Sequence, residues 1–124
     1  MAKKILLVDD EKEVVDILSK FLLKEGFEVE VATDGKTALE LARKFLPNLI
    51  VLDVMMPGMD GGEVMSEIEE DEKLRRIPVV FLTAAVSEGE AVMINKKSMG
   101  RVYLAKSSDI RDQIKEIKKI LGVV

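Results

Sequence analysis

The sequence predicts an α/β fold of three layers, (βα)5, with a five-stranded parallel sheet in the order 2-1-3-4-5. Three observations lead there. Apolar runs alternate with amphipathic stretches from end to end, regularly enough to count five strand-helix units. Most of the runs are continuously apolar, as strands covered on both faces are. Polar residues stand directly after four of the runs, at the strand ends where open parallel sheets hold their ligands.

The strands read as residues 5–8, 29–32, 49–52, 79–82 and 102–105. The second alternates, with Glu28, Val29, Glu30 and Val31 in turn, as an edge strand does. Between the strands the apolar residues recur at helical spacing: Val14, Leu18, Phe21 and Leu22; Ala38, Leu41, Ala42 and Phe45; Val64, Met65 and Ile68; Ile110, Ile114, Ile117 and Leu121. These are stripes for a core. Gly26 and Gly100 follow helical stretches, Pro47 and Pro78 precede strands, Asp34 stands as a cap, and Ser87 to Glu90 form a capping box. The fourth helix, 88–99, has the weakest pattern, because Ala91, Val92, Met93 and Ile94 are bunched and Gly89 sits in its first turn.

A chain of 124 residues suits one domain, with 48% hydrophobic and 34% charged residues, as in ordinary globular proteins. No run approaches the roughly 18 apolar residues of a membrane span. A cytoplasmic location and no membrane partner are therefore expected. The net charge of −4 arises from 19 basic and 23 acidic residues spread along the chain, without the basic face that direct nucleic-acid binding needs. There is no Cys and no His, which excludes disulfides, thiol nucleophiles, Cys/His zinc sites and Ser-His-Asp triads. Carboxylates, hydroxyls and amines must do the chemistry.

Those groups lie at the strand ends. The first strand ends in Asp9, Asp10 and Glu11, the third in Asp53, the fourth in Thr83 and the fifth in Lys106. Singly, Asp10 reads as a cap for the first helix, and Thr83 or Lys106 as surface residues. With strand order 2-1-3-4-5, Asp9, Asp10 and Asp53 converge where the order reverses, with Thr83 one strand over and Lys106 two. Crowded carboxylates raise each other's pKa unless a cation lies between them. An all-oxygen ligand set favours Mg²⁺, or Mn²⁺, over zinc or copper. Such a metal commonly brings a phosphate, for which Asp53, Thr83 and Lys106 match a nucleophile, a hydroxyl donor and a balancing amine.

At these residues the chain resembles the receiver domain of two-component response regulators, across nearly all of its 124 residues. The resemblance is carried by Leu6-Leu7-Val8-Asp9-Asp10-Glu11, by the run from Leu49 to Gly61 containing Asp53 and Met56-Pro57-Gly58, by Phe81-Leu82-Thr83-Ala84, and by Tyr103-Leu104-Ala105-Lys106. It implies a flavodoxin-like receiver domain over 1–124, a phosphorylation-dependent switch that catalyses only its own phosphorylation and dephosphorylation. It further implies that Asp53 accepts the phosphoryl group. Asp10 then ligates Mg²⁺, Asp9 assists through water, and the Met55 carbonyl adds a ligand. The implied donor is a phosphohistidine on a sensor histidine kinase or a histidine phosphotransfer protein. Thr83 and Tyr103 are the implied switch residues, altering the face of the fourth helix, fifth strand and fifth helix. Because the chain ends soon after the fifth helix, the expected listener is a separate downstream effector protein, as for single-domain chemotaxis regulators.

The sequence departs from the family at Ser107, where Pro is usual, and in the short spacing from Gly100 to Tyr103. With Ser at 107, a trans Lys106-Ser107 bond is expected, and Ser107 or Ser108 can cap the fifth helix. Met55 and Ala85 offer no strong side-chain contact to a hydrolytic water, which implies slow self-dephosphorylation. Rival readings are a degenerate receiver that binds partners without phosphorylation, an Mg²⁺-dependent phosphohydrolase, disfavoured by Met55 where a second Asp is needed, and a flavin binder, whose phosphate Asp9-Asp10-Glu11 would repel.

Overall fold

The computed structural model describes residues 2–53, 58, 61–83, 103–106 and 109–123. In chain order these form β1 (Lys4–Val8), α1 (Lys12–Lys24), β2 (Glu28–Ala32), α2 (Gly35–Phe45), β3 (Leu49–Asp53), α3 (Gly61–Glu70), β4 (Val79–Thr83), β5 (Tyr103–Ala105) and α4 (Ile110–Leu121). The expected fourth helix, with its capping box and Gly100, lies outside the described residues, so α4 is the helix expected as the fifth. The five strands form one sheet in the order β2-β1-β3-β4-β5, every pair parallel, as the sequence predicts. Each predicted strand is present, with Lys4, Glu28, Asp53 and Thr83 added at the ends and Val102 outside the described residues.

Side chains alternate across the sheet and divide the core in two. Leu6, Val8, Ile50, Leu52, Val79 and Phe81 pack with Ala38, Leu39 and Ala42 of α2 and Val64, Met65 and Ile68 of α3. Ile5, Leu7, Leu49, Val51, Val80, Leu82 and Leu104 pack on the other face with Val15, Leu18 and Leu22 of α1 and Ile114 and Ile117 of α4. Each fully buried Leu or Ile contributes about 1.5–3 kcal/mol. Edge strand β2 keeps Glu28 and Glu30 exposed, as its alternation predicts, and Val29 partly buried, but Val31 is exposed where the alternation predicts burial. Phe21, assigned to a core stripe by spacing, is 40% exposed, because Val15, Leu18 and Leu22 already cover the sheet beneath α1.

Local signals set the helix ends. Asp34 accepts from the Thr37 N–H at 2.8 Å and caps α2. Gly26 follows α1 with φ +94, a left-handed conformation suited to glycine. At the end of α2 that conformation falls to Leu46 (φ 47), with Pro47 next, where the helix cannot continue.

Candidate functional site

The two-residue period of the strands aims the site. Ile5 and Leu7 of β1, Leu49 and Val51 of β3, and Leu104 of β5 face the α1/α4 layer. One further step along each strand carries Asp9, Asp53 and Lys106 to that same side at the carboxyl edge. The β1–β3 register pairs Val8 with Leu52 and so sets Asp9 level with Asp53, while Asp53 stands opposite Leu82 of β4. Adjacent parallel strands are about 4.8 Å apart, so β1 and β3 alone bring two carboxylates together.

Asp9 and Asp53 are 1% and 3% exposed. Asp10 lies at the surface, and one carboxylate oxygen from each of Asp9, Asp10 and Asp53 comes within 4.8 Å of the others. Lys106 crosses from the end of β5 to meet them. Its Nζ is 2.6 Å from Glu11 Oε1, 2.9 Å from Asp9 Oδ2 and 3.3 Å from Asp53 Oδ2. Burial alone would favour the neutral amine, but the bond to Glu11, the close contact with Asp9 and the charges of Asp53 and Asp9 outweigh it and hold the ammonium above the usual lysine range. Asp9 Oδ2 accepts no well-directed hydrogen bond, so its compensation is the neighbouring ammonium charge.

Backbone contacts fix these groups. The Asp9 N–H donates to the Ala32 carbonyl at 3.1 Å, extending the pairing of β1 with β2. Asp9 Oδ1 accepts from the Glu11 N–H at 2.9 Å and closes the turn into α1. The cap position of α1 is held by Glu11 and not by Asp10, which stands one residue too early. Gln113 of α4, 6% exposed, donates from Nε2 to the Ala105 carbonyl at 3.3 Å and lies 3.5 Å from that of Lys106. It anchors the backbone from which Lys106 reaches. At the start of α4, Asp109 accepts from the Arg111 N–H at 2.8 Å and is the cap, in place of Ser107 or Ser108, because it directly precedes Ile110.

The structure thus brings Asp9, Asp10, Asp53 and Lys106 together as the strand order requires. Thr83 ends β4 paired with Ala105, and Tyr103 of β5 pairs with Phe81, but their side chains lie outside the described residues. So do Met55, Ala85 and Ser107 with its preceding bond. Gly58 of the Met56-Pro57-Gly58 run has φ +78, a turn that glycine makes without strain. Sequence reasoning assigned no role to Glu11 or Gln113. Gln113 carried a signal, being a polar residue at the edge of the Ile110, Ile114 and Ile117 stripe.

The acidic trio fits a hard divalent cation: its ligands are oxygens, and the buried Asp9 Oδ2 is matched by a cation instead of a directed hydrogen bond. Fold and site define a doubly wound α/β protein with an acidic, lysine-bridged cluster at the point where strand order reverses. The chain belongs to the response regulator receiver domain family, which matches residues 5–118, and is a receiver domain of two-component signalling.

Among curated proteins it is 46% identical over 92 residues to the response regulator PleD of Caulobacter vibrioides, a match covering 74% of this chain and 20% of that protein. The chain therefore spans about a fifth of that relative's length. Among solved structures it is similar to the chemotaxis protein CheY4 of Vibrio cholerae, with TM-score 0.85, 28% identity, and coverage of 97% of this chain and 99% of that one. It is also similar to the receiver domain of the sensor histidine kinase PA1611 of Pseudomonas aeruginosa PAO1, with TM-score 0.87, 27% identity, and coverage of 98% and 99%. That domain has a magnesium ion coordinated in its active site cleft. Among the described residues no helix is long and apolar enough to cross a membrane.

Proposed function

We propose that residues 1–124 form one receiver domain that accepts a phosphoryl group on Asp53 from a partner phosphohistidine and signals by changing shape. The observation that carries this reading is the buried pair of Asp9 and Asp53, bridged by Lys106 and completed by Asp10 as an oxygen-only cation site. Asp9, Asp10, Asp53 and the Met55 carbonyl would hold Mg²⁺, or Mn²⁺, which when bound supplies positive charge against the phosphoryl oxygens.

An Asp53 carboxylate oxygen attacks phosphorus, the P–N bond to the donor imidazole breaks, and its electron pair stays on the ring nitrogen. Lys106, already 3.3 Å from Asp53 Oδ2, balances the charge of the acyl phosphate. The Thr83 hydroxyl bonds the transferred group, Tyr103 follows, and the face of the helix expected at 88–99, β5 and α4 repacks. A sensor histidine kinase or histidine phosphotransfer protein is the donor, and a separate effector protein reads the new face, with no direct contact to nucleic acid or membrane. The domain acts in the cytoplasm and catalyses its own phosphorylation and dephosphorylation only. Phosphotransfer from a phosphorylated histidine phosphotransfer protein tests the partner class. Label should pass to wild type and not to Asp53→Asn, and label passing equally to both would reject the assignment.

A further inference from the structure

We propose that Glu11 is a positioning residue for Lys106: it holds the ammonium beside the acidic cluster when a divalent cation takes over Asp9 and Asp53. The inference rests on the reading of Asp9, Asp10 and Asp53 as the cation ligands. Glu11 stands outside that trio, yet makes the shortest of the three lysine contacts, at 2.6 Å. Although it occupies the cap position of α1, its side chain makes no cap bond, and its carboxylate reaches Lys106, 95 residues further along the chain. The lysine has little freedom to leave. Its side chain is 13% exposed, and Gln113 anchors its backbone from α4.

An ammonium has three N–H donors, and here three carboxylates surround it. A divalent cation among Asp9, Asp10 and Asp53 repels the ammonium from Asp9 and Asp53 and leaves Glu11 as its counter-charge. A counter-charge matters most where it is the last one a poorly solvated ion has. Glu11 therefore stabilises the cation-loaded state more than the free state, and its loss weakens cation binding through Lys106. A plain loss of negative charge near the cation also weakens binding, but that effect does not need the lysine.

Calorimetric titration of the whole chain with MgCl₂ separates the two in a double-mutant cycle. Glu11→Ala is expected to weaken Mg²⁺ binding about tenfold beside Lys106, and by less than about twofold in a Lys106→Met background, a coupling of the size found between residues in contact. Glu11→Gln, which keeps the acceptor oxygen, should fall between wild type and Glu11→Ala. Equal losses in both backgrounds, or no loss beside Lys106, would overturn the tether while leaving the metal site standing. Absence of Mg²⁺ binding by wild type, or unchanged binding by Asp10→Asn, would overturn the metal reading and the tether together. Where Lys106→Met does not fold, the Lys106 ammonium NMR signal of the Mg²⁺-loaded protein decides: retained in wild type and lost in Glu11→Ala if the tether holds, equal in both if it does not.

Discussion

The two ends of β1 and β3 solve the same problem in opposite ways. At the amino end, the Lys4 N–H donates to Asn48 Oδ1 at 2.8 Å, the Asn48 N–H donates to the Lys4 carbonyl at 2.8 Å, and Lys4 Nζ lies 5.3 Å from the Phe45 ring centre and bonds the Phe45 carbonyl at 3.4 Å. Lys4 and Asn48 are thus tied to one another by two hydrogen bonds. At the carboxyl end, Asp9 and Asp53 are buried side by side and share one ammonium. The first arrangement fastens the sheet, whereas the second concentrates like charge that a cation relieves.

Loss of the shared ammonium should destabilise the carboxyl end more than any other single change here. Lys106→Met leaves two buried carboxylates without their cation, and urea unfolding in EDTA should show a loss of about 3 kcal/mol. Mg²⁺ should then recover more stability in the variant than it adds to wild type, because it alone neutralises the pair. A variant as stable as wild type in EDTA would mean that the carboxyl end carries no charge strain. Asp10→Asn removes one of the three carboxylates proposed to hold the metal. The rise in melting temperature that Mg²⁺ gives wild type should largely disappear, while the metal-free variant melts at or above the wild-type temperature.

At the amino end, Asn48→Ala should cost about 1 kcal/mol, the worth of one hydrogen bond, by the same amount with and without Mg²⁺. A Mg²⁺-dependent loss would show that the two ends are not separate. The smallest effect belongs to the α2 cap. The Thr37 backbone N–H and hydroxyl hold the Asp34 carboxyl below its usual value of 3.8. Its stabilisation is thus present above pH 3.8 and lost as pH falls through the lowered value in the folded state. Asp34→Ala should melt below wild type at pH 7 and approach it under acid, as followed by circular dichroism. A gap that widens under acid would contradict the capping role.

Most of the fold was legible because its signals are local or periodic. The continuous runs at β1, β3 and β4 predicted burial on both faces, the Glu28 to Val31 alternation predicted an edge, and Asp34 predicted a cap. The convergence of Asp9, Asp10, Asp53 and Lys106 was legible too, since strand order and a two-residue period determine it. Contacts chosen by competition were not. Phe21 fits its stripe by spacing but loses its place to Val15 and Leu22, and Asp109 precedes α4 more closely than either serine. Glu11 could not be read from spacing, because its partner lies 95 residues away and its role depends on leaving the cap of α1 unmade.

On the proposed function, the buried carboxylate at the end of β3 takes the phosphoryl group and needs a hard cation to do so. Incubating the chain with acetyl phosphate, with Mg²⁺ or with EDTA, and measuring intact mass tests it most directly, with borohydride trapping and peptide mapping to locate the adduct. One phosphoryl group, on Asp53 and only with Mg²⁺, is the predicted result. No adduct under either condition, or an adduct that persists in Asp53→Asn, would contradict it.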